Sequence, residues 1–252
     1  MNQLVLTTID DRVATITLNR PKRHNSLVPS LLEELVTAIA SIRETADVGA
    51  VILQANGRSF STGGDMKGFL DNINNLEAYA SQLVGLLNQA IIDLVQLPLP
   101  VMAAVHGTVN GGSIGLVLAC DLILVTRAAS FTPYYSEVGF SPDGGWTAML
   151  PDFIGTKRAT SVLLENQTIS ASQAVAWGLA DREVPAGSLR EEALSCGQYL
   201  AERNQGAIRT TKQLLTSRGL ANRLEEERSL FIKQIATAGA REGILSFNTQ
   251  AK

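Results

Sequence analysis

Leu4 to Ile9 and Val13 to Asn19 alternate apolar with polar positions or carry β-branched side chains, and Asp10-Asp11 lies between them, which predicts a β-hairpin. A polar loop, RPKRHNSL (Arg20 to Leu27), follows. From Pro29 onward Leu31, Leu32, Leu35, Val36, Ile39 and Ile42 recur at helical spacing, predicting a helix from about Pro29 to Thr45. Ala50 to Gln54 is a short, apolar strand ended by Asn56-Gly57. Leu76 to Leu97 carries a long amphipathic helix stopped by Pro98 and Pro100, and Val101 to Val105 is the next buried strand. Ile114 to Cys120 then reads as a helix, with Leu122 to Thr126 and Ser130 to Thr132 as two more short strands.

Beyond these strands the pattern turns helical. A helix over Trp146 to Phe153, broken at Pro151, is followed by short helices over Thr156 to Glu165 and Ala171 to Trp177. A break at Val184 to Gly187 precedes three helical segments, about Ser188 to Arg203, Gly206 to Arg218 and Ala221 to Phe247. Alternating strands and helices predict an α/β fold with a core over residues 1–187 and a helical region over 188–252.

Composition narrows the function. The 252 residues hold 21 basic and 24 acidic side chains, net −3, without a basic stripe, so nucleic acid is excluded as an expected partner. Cys120 and Cys196 lack metal-ligand or disulfide-framework spacing and read as reduced thiols, so no metal site is expected. MNQLVLTTIDDRV has no signal-peptide pattern, and no apolar run reaches the roughly 18 residues of a membrane span. A cytoplasmic enzyme with no membrane partner is the expectation.

Three segments could carry chemistry. SFSTGGDM (Ser59 to Met66) and HGTVNGGSIG (His106 to Gly115) are glycine-rich and follow buried strands, where backbone amides can face a cleft. Two such N–H groups converging on one carbonyl would stabilise charge developing on its oxygen. The third, FTPYYSEVGFSPDGGW (Phe131 to Trp146), places Asp143 among aromatic residues. Tight turns alone would also account for the glycines and for Pro142-Asp143-Gly144.

Taken with RPKRHNSL, AVILQANGRSFSTGGDM, AAVHGTVNGGSIGLVLACDL, ISASQAVAWGLADREVP and REGILSF, these segments fall in the order found in the crotonase superfamily, which the chain resembles over nearly its whole length. That resemblance implies a spiral of ββα units with a C-terminal helical trimerisation region. It implies an acyl-CoA substrate, coenzyme A being part of the substrate with no separate cofactor, and a homotrimer or dimer of trimers. It puts the oxyanion donors on the backbone N–H of Gly64 and Gly112. CoA contacts would come from Lys22, Arg23, Ser61, Gly63, Asp65, Met66 and Phe247, with Phe247 near the adenine of a neighbouring subunit's CoA. Gln250 stands where the family places a lysine. An acyl pocket would be lined by Phe69, Tyr135, Phe140 and Trp146.

The two glutamates that handle water in the family's hydratases fall on Gly115 and Tyr135 in this sequence. SPDGG, in contrast, resembles the branch of Δ3,Δ2-enoyl-CoA isomerases and phenylacetate ring isomerases, which implies Asp143 as the catalytic acid and base. The expected activity is a shift of the double bond from 3-enoyl-CoA to 2-enoyl-CoA. Alternatives are a 1,2-epoxyphenylacetyl-CoA-type ring isomerase, an enoyl-CoA hydratase or aroyl-CoA dehalogenase-like hydrolase, and a non-catalytic acyl-CoA-binding member.

Overall fold

The computed structural model describes residues 3–216 and 218–250. The hairpin forms as expected, β1 (Val5–Asp10) pairing antiparallel with β2 (Val13–Leu18). Asp11 and Arg12 take positive φ angles of 41° and 63°, which a two-residue hairpin turn requires. In order there follow α1 (Pro29–Arg43), β3 (Ala50–Ala55), α2 (Met66–Asp71), α3 (Leu76–Val95), β4 (Val101–Val105), β5 (Thr108–Asn110) and α4 (Ile114–Leu118). β6 (Leu122–Thr126), β7 (Ser130–Thr132), α5 (Tyr135–Val138), α6 (Leu150–Ile154), α7 (Thr156–Leu164), β8 (Ile169–Ser170), α8 (Ala171–Trp177) and β9 (Arg182–Val184) complete the mixed part. Four helices close the chain: α9 (Leu189–Ala201), α10 (Gln205–Leu215), α11 (Leu220–Ile235) and α12 (Ala238–Gln250).

Six strands form one sheet in the order β1-β2-β3-β4-β6-β9, parallel from β2 onward, and β5-β7-β8 form a second. Val51, Leu53, Ala103 and Val105 face the core shared with α1 and α3, whereas Ala50, Ile52, Met102 and Ala104 face a second cluster completed by Leu189, Ala193 and Ala201 of α9. Both faces of the central strands are therefore buried, which is why they are apolar throughout instead of alternating. The first helix of the C-terminal region thus packs directly on the sheet. α11 lies on α3, and α12 lies on α2 and α5.

Several expected boundaries move, each for a local reason. Residues 66–71, for which the apolar pattern predicts no element, form α2, whose first turn the Asp65 side chain caps by accepting a hydrogen bond from Lys67 N at 3.0 Å. Pro151 does not break a helix over Trp146 to Phe153; it lies in the first turn of α6, where its missing N–H has no intrahelical role. The segment Ala221 to Phe247 is two helices, parted near Thr237, whose hydroxyl accepts from Ala240 N at 3.3 Å. β5, β8 and β9 span two or three residues each, too few for a period to register.

α10 is anchored by one buried cation. Lys212 Nζ donates to Leu94 O at 3.3 Å, Leu99 O at 3.0 Å and Asp121 Oδ2 at 2.7 Å, and Asp121 Oδ2 also accepts from Val101 N at 2.7 Å, so it joins α10 to β4 of the sheet. Lys212→Ala takes the ammonium donor from the Leu99 carbonyl and the paired cation from Asp121, whose carboxylate is one-third exposed. A loss of about 2–3 kcal/mol is expected in urea unfolding.

Candidate active site

The two glycine segments are tied together by Ser61. Its N–H donates to Thr108 O at 3.1 Å, its carbonyl accepts from Asn110 N at 3.0 Å, and its buried hydroxyl donates to Asn25 O at 2.8 Å. Ser61 therefore organises the site from behind and is not on the cleft lining. Gly63 has φ of +77° and a Cβ there would lie 2.6 Å from Asn110 O, so only glycine lets the segments approach. Leu27 N donates to Gly63 O at 2.7 Å and Asp65 N to Leu27 O at 2.9 Å. Neighbouring residues of a strand point their amides to opposite sides, so the Gly64 N–H turns away from Leu27.

Gly112 lies in the one-turn 3-10 segment Gly111–Ser113 that leads into α4, where the first N–H groups have no intrahelical acceptor. Among the described residues no protein acceptor takes up the N–H of Gly64 or of Gly112. Both glycines line one cleft of about 920 Å³.

Asp143 reaches the same cleft from the turn after α5. Gly144 has φ of +61°, and a Cβ on it would lie 2.3 Å from Gly112 O, so the two backbones touch. A Cβ on Gly112 would lie 2.8 Å from Asp143 Oδ1 and 3.0 Å from Oδ2, which puts the carboxyl group directly over Gly112. The Tyr135 hydroxyl donates to Asp143 Oδ1 at 2.6 Å. Burial pushes the Asp143 pKa up to about 7, against the Tyr135 hydrogen bond, which pulls it down, and with the Glu227 charge adding to the rise. Burial, followed by the Asp143 charge, holds the Tyr135 phenol well above its ordinary range. The result is a carboxyl group able to gain and lose a proton near neutral pH.

Gly115, in α4, has no room for a side chain: a Cβ there would lie 2.3 Å from Gly144 O and 2.4 Å from Ile91 Cδ1. The Gly144 carbonyl and the Ile91 side chain occupy the space that a glutamate at 115 would enter.

At the other end of the cleft, Lys22, Arg23, His24, Gly63, Asp65 and Met66 line the wall. Asp65 is paired with Arg20 at 2.6 Å and Arg23 at 3.0 Å; burial raises its pKa, but the two guanidinium groups more than offset this and hold the carboxyl below its usual range. Asp65 thus ties the loop, and Lys22 and Arg23 line the cleft beside it. Phe247 lines the cleft of its own chain. The side chain of Gln250 lies outside the described residues. His106, by contrast, bonds Gly57 O through Nε2 at 2.8 Å and stays off the lining.

Phe69, Tyr135 and Phe140 line the cleft with Phe231, the Phe69 and Phe140 rings 5.4 Å apart and Phe140 and Phe231 5.5 Å apart. Trp146 is off the lining; it is fully buried, and its Nε1 donates to Gly111 O at 2.8 Å, bracing the turn that carries Gly112. The tryptophan reads as a pocket residue in sequence because it adjoins SPDGG, yet that turn reverses the chain and sends the indole inward.

Glu227 went unnoticed in the sequence. It is buried and accepts from Gly145 N at 2.8 Å, Thr147 N at 2.7 Å, Thr147 Oγ1 at 2.5 Å and Ala148 N at 2.8 Å. Its signal is present all the same, since Leu220, Leu224, Glu227, Phe231 and Ile235 make the buried stripe of α11, and a carboxylate in such a stripe needs partners.

A family model described as Enoyl-CoA hydratase/isomerase matches residues 8–252. The chain is 30% identical over 246 residues to the mitochondrial enoyl-CoA hydratase of Pongo abelii, covering 96% of this chain and 83% of that protein. It is 29% identical over 245 residues to 4-chlorobenzoyl coenzyme A dehalogenase-2 of an Arthrobacter species, covering 95% and 88%. A solved enoyl-CoA hydratase from Bacillus halodurans superposes with a TM-score of 0.90 at 25% identity, covering 96% of this chain and 99% of that one. The chain belongs to the enoyl-CoA hydratase/isomerase family, the crotonase superfamily, and has its α/β fold.

Proposed function

We propose that this member of the family is an acyl-CoA isomerase that moves a double bond from the 3 to the 2 position, with Asp143 as the single proton carrier. The observation that carries this reading is the Asp143 carboxyl group over Gly112, held by Tyr135, in a cleft where Gly115 leaves no room for a second carboxylate. The thioester oxygen accepts from Gly64 N–H and Gly112 N–H. Asp143 takes a proton from the α-carbon, the electron pair moves into the dienolate whose oxygen the two amides stabilise, and the same carboxyl group returns the proton to the γ-carbon. No water enters the product, so the absence of glutamates at Gly115 and Tyr135 is no handicap. Lys22 and Arg23 offer cations to the phosphates of CoA.

Incubating the protein with 3-hexenoyl-CoA in deuterated water tests this, with 2-hexenoyl-CoA as the expected product. A protein that binds the ester without exchanging an α-proton would be a binding member and not an enzyme.

The pH profile follows from the Asp143 environment. A base must be ionised, so kcat/KM is expected to rise with pH through about 7 and then level off. Tyr135→Phe removes the hydrogen bond that favours the ionised form, so the rising limb should move to higher pH, with the rate at pH 7 falling on the order of tenfold. An unmoved limb in Tyr135→Phe would detach the tyrosine from the chemistry.

A second reading is favoured by the dehalogenase likeness: Asp143 as a nucleophile toward an aryl halide. It predicts a covalent aspartyl adduct with 4-chlorobenzoyl-CoA, visible by mass spectrometry. The assembly proposed is a homotrimer or dimer of trimers, supported by Leu214 and Leu215 on α10, 81% and 80% exposed in the single chain. Sedimentation at the mass of one chain would oppose it.

A further inference from the structure

We propose that Glu227 is a positioning residue for Asp143: by accepting the backbone N–H groups of Gly145, Thr147 and Ala148, it fixes the turn that presents the Asp143 carboxyl group over Gly112. The inference rests on the reading of Asp143 as proton carrier and adds to it a group that never touches substrate.

The turn is not a regular element. Residues 139–149 contain no strand and no helix, and Gly144 and Gly145 both sit at positive φ, 61° and 89°. The N–H groups of Gly145 and Ala148 are buried, and such donors left unpaired cost about 1–3 kcal/mol each. Three amides and the Thr147 hydroxyl converge instead on two carboxylate oxygens, a concave set of donors suited to an anion. Oε2 takes Gly145 and Oε1 takes the other three, so both oxygens are needed as acceptors. Glutamine would turn an NH2 group onto one of them, donor against donor.

Glu227 also sets the charge around Asp143. The ionisable groups acting on that carboxyl group are Tyr135 from α5 and Glu227 from α11. Elsewhere the cleft is lined by Lys22, Arg23, His24, Asp65 and Lys67. Behind Glu227, Arg223 and Glu226 line a shallow cavity, with Arg223 paired to Asp152 at 3.0 Å. A negative group close behind Asp143 favours its protonated form, in the same direction as burial. One side chain thereby couples the C-terminal helices to both the position and the proton affinity of the base.

Two variants separate these effects. Glu227→Gln removes the charge, and Glu227→Asp keeps the charge but shortens the reach. The readouts are kcat with 3-hexenoyl-CoA and the titration of the Asp143 carboxyl followed by carbon-13 NMR, assigned by its loss in Asp143→Asn. For Glu227→Gln the Asp143 midpoint should move to lower pH, and kcat should fall on the order of 10- to 100-fold. For Glu227→Asp the midpoint should stay near the wild-type value while kcat falls similarly. A wild-type kcat in folded Glu227→Gln overturns the positioning role, and an unshifted midpoint there overturns its effect on the charge around Asp143. If that variant does not fold, a wild-type kcat in Glu227→Asp overturns the positioning role instead. Should the wild-type protein fail to isomerise 3-hexenoyl-CoA, the isomerase reading falls, and the NMR midpoint alone then decides the role of Glu227.

Discussion

Asp143→Asn is expected to abolish double-bond migration, lowering kcat by a factor on the order of 10³ or more, while acyl-CoA binding is retained. Asparagine keeps the shape of the side chain, and its Oδ1 still accepts from the Tyr135 hydroxyl, but it neither takes nor returns a proton. A second effect should accompany the first. The folded-state pKa of Asp143 lies near 7, above the ordinary carboxyl value of 3.8. The folded protein therefore binds this proton more tightly than the unfolded chain does. Stability from this group is fully present below about pH 4, declines as pH rises toward 7, and above 7 carries a cost of about 4 kcal/mol. The neutral asparagine of Asp143→Asn escapes that cost, so the variant should be more stable than wild type at pH 8 and nearly equal to it at pH 4. Urea unfolding at both pH values checks the stability, and steady-state assay with 3-hexenoyl-CoA checks the rate. Retained turnover would remove Asp143 from the mechanism; equal stability at both pH values would show its pKa to be ordinary.

The next largest effect is expected at Gly115. An added Cβ meets a backbone carbonyl, Gly144 O, at 2.3 Å, and backbone cannot swing aside as a side-chain tip can. Gly115→Ala should therefore displace the Asp143 turn, with a stability loss of about 1–3 kcal/mol and a fall in isomerase rate larger than the change in binding. Gly115→Glu introduces the residue type that the resemblance to hydratases implies for that position, yet it should gain no hydration of 2-hexenoyl-CoA, because Gly144 O and Ile91 Cδ1 fill the space where its side chain begins. A Gly115→Glu variant that hydrates 2-enoyl-CoA at a useful rate would show that the family chemistry turns on this residue alone.

Much of the fold was legible in the chain. Periodicity located the hairpin, α1, α3 and the apolar strands β3, β4 and β6 to within a residue or two, since each is long or buried enough to impose its own spacing. α2 and α5 were missed for opposite reasons: α2 depends on a side-chain cap by Asp65, and α5 is a single turn between left-handed residues Tyr134 and Gly139. The candidate site divided similarly. Gly64, Gly112 and Asp143 stand out through glycine clustering and through resemblance, and they meet in one cleft. Trp146 was placed on the wrong side of its turn, because two positive-φ glycines reverse the chain just before it.

The sequence by itself determined the α/β order of elements and the two glycine segments, since these rest on local spacing and residue type, and its resemblance to the family singled out Asp143 as the carboxyl group to follow. Only the tertiary structure decided how that carboxyl group is tuned. Tyr135 lies eight residues away and Glu227 more than eighty, yet the first donates to the Asp143 carboxyl group at 2.6 Å and the second holds the following turn and adds its charge to the buried site. Proton affinity depends on burial and on the nearest charges in space, and neither quantity is encoded in the residues adjacent along the chain.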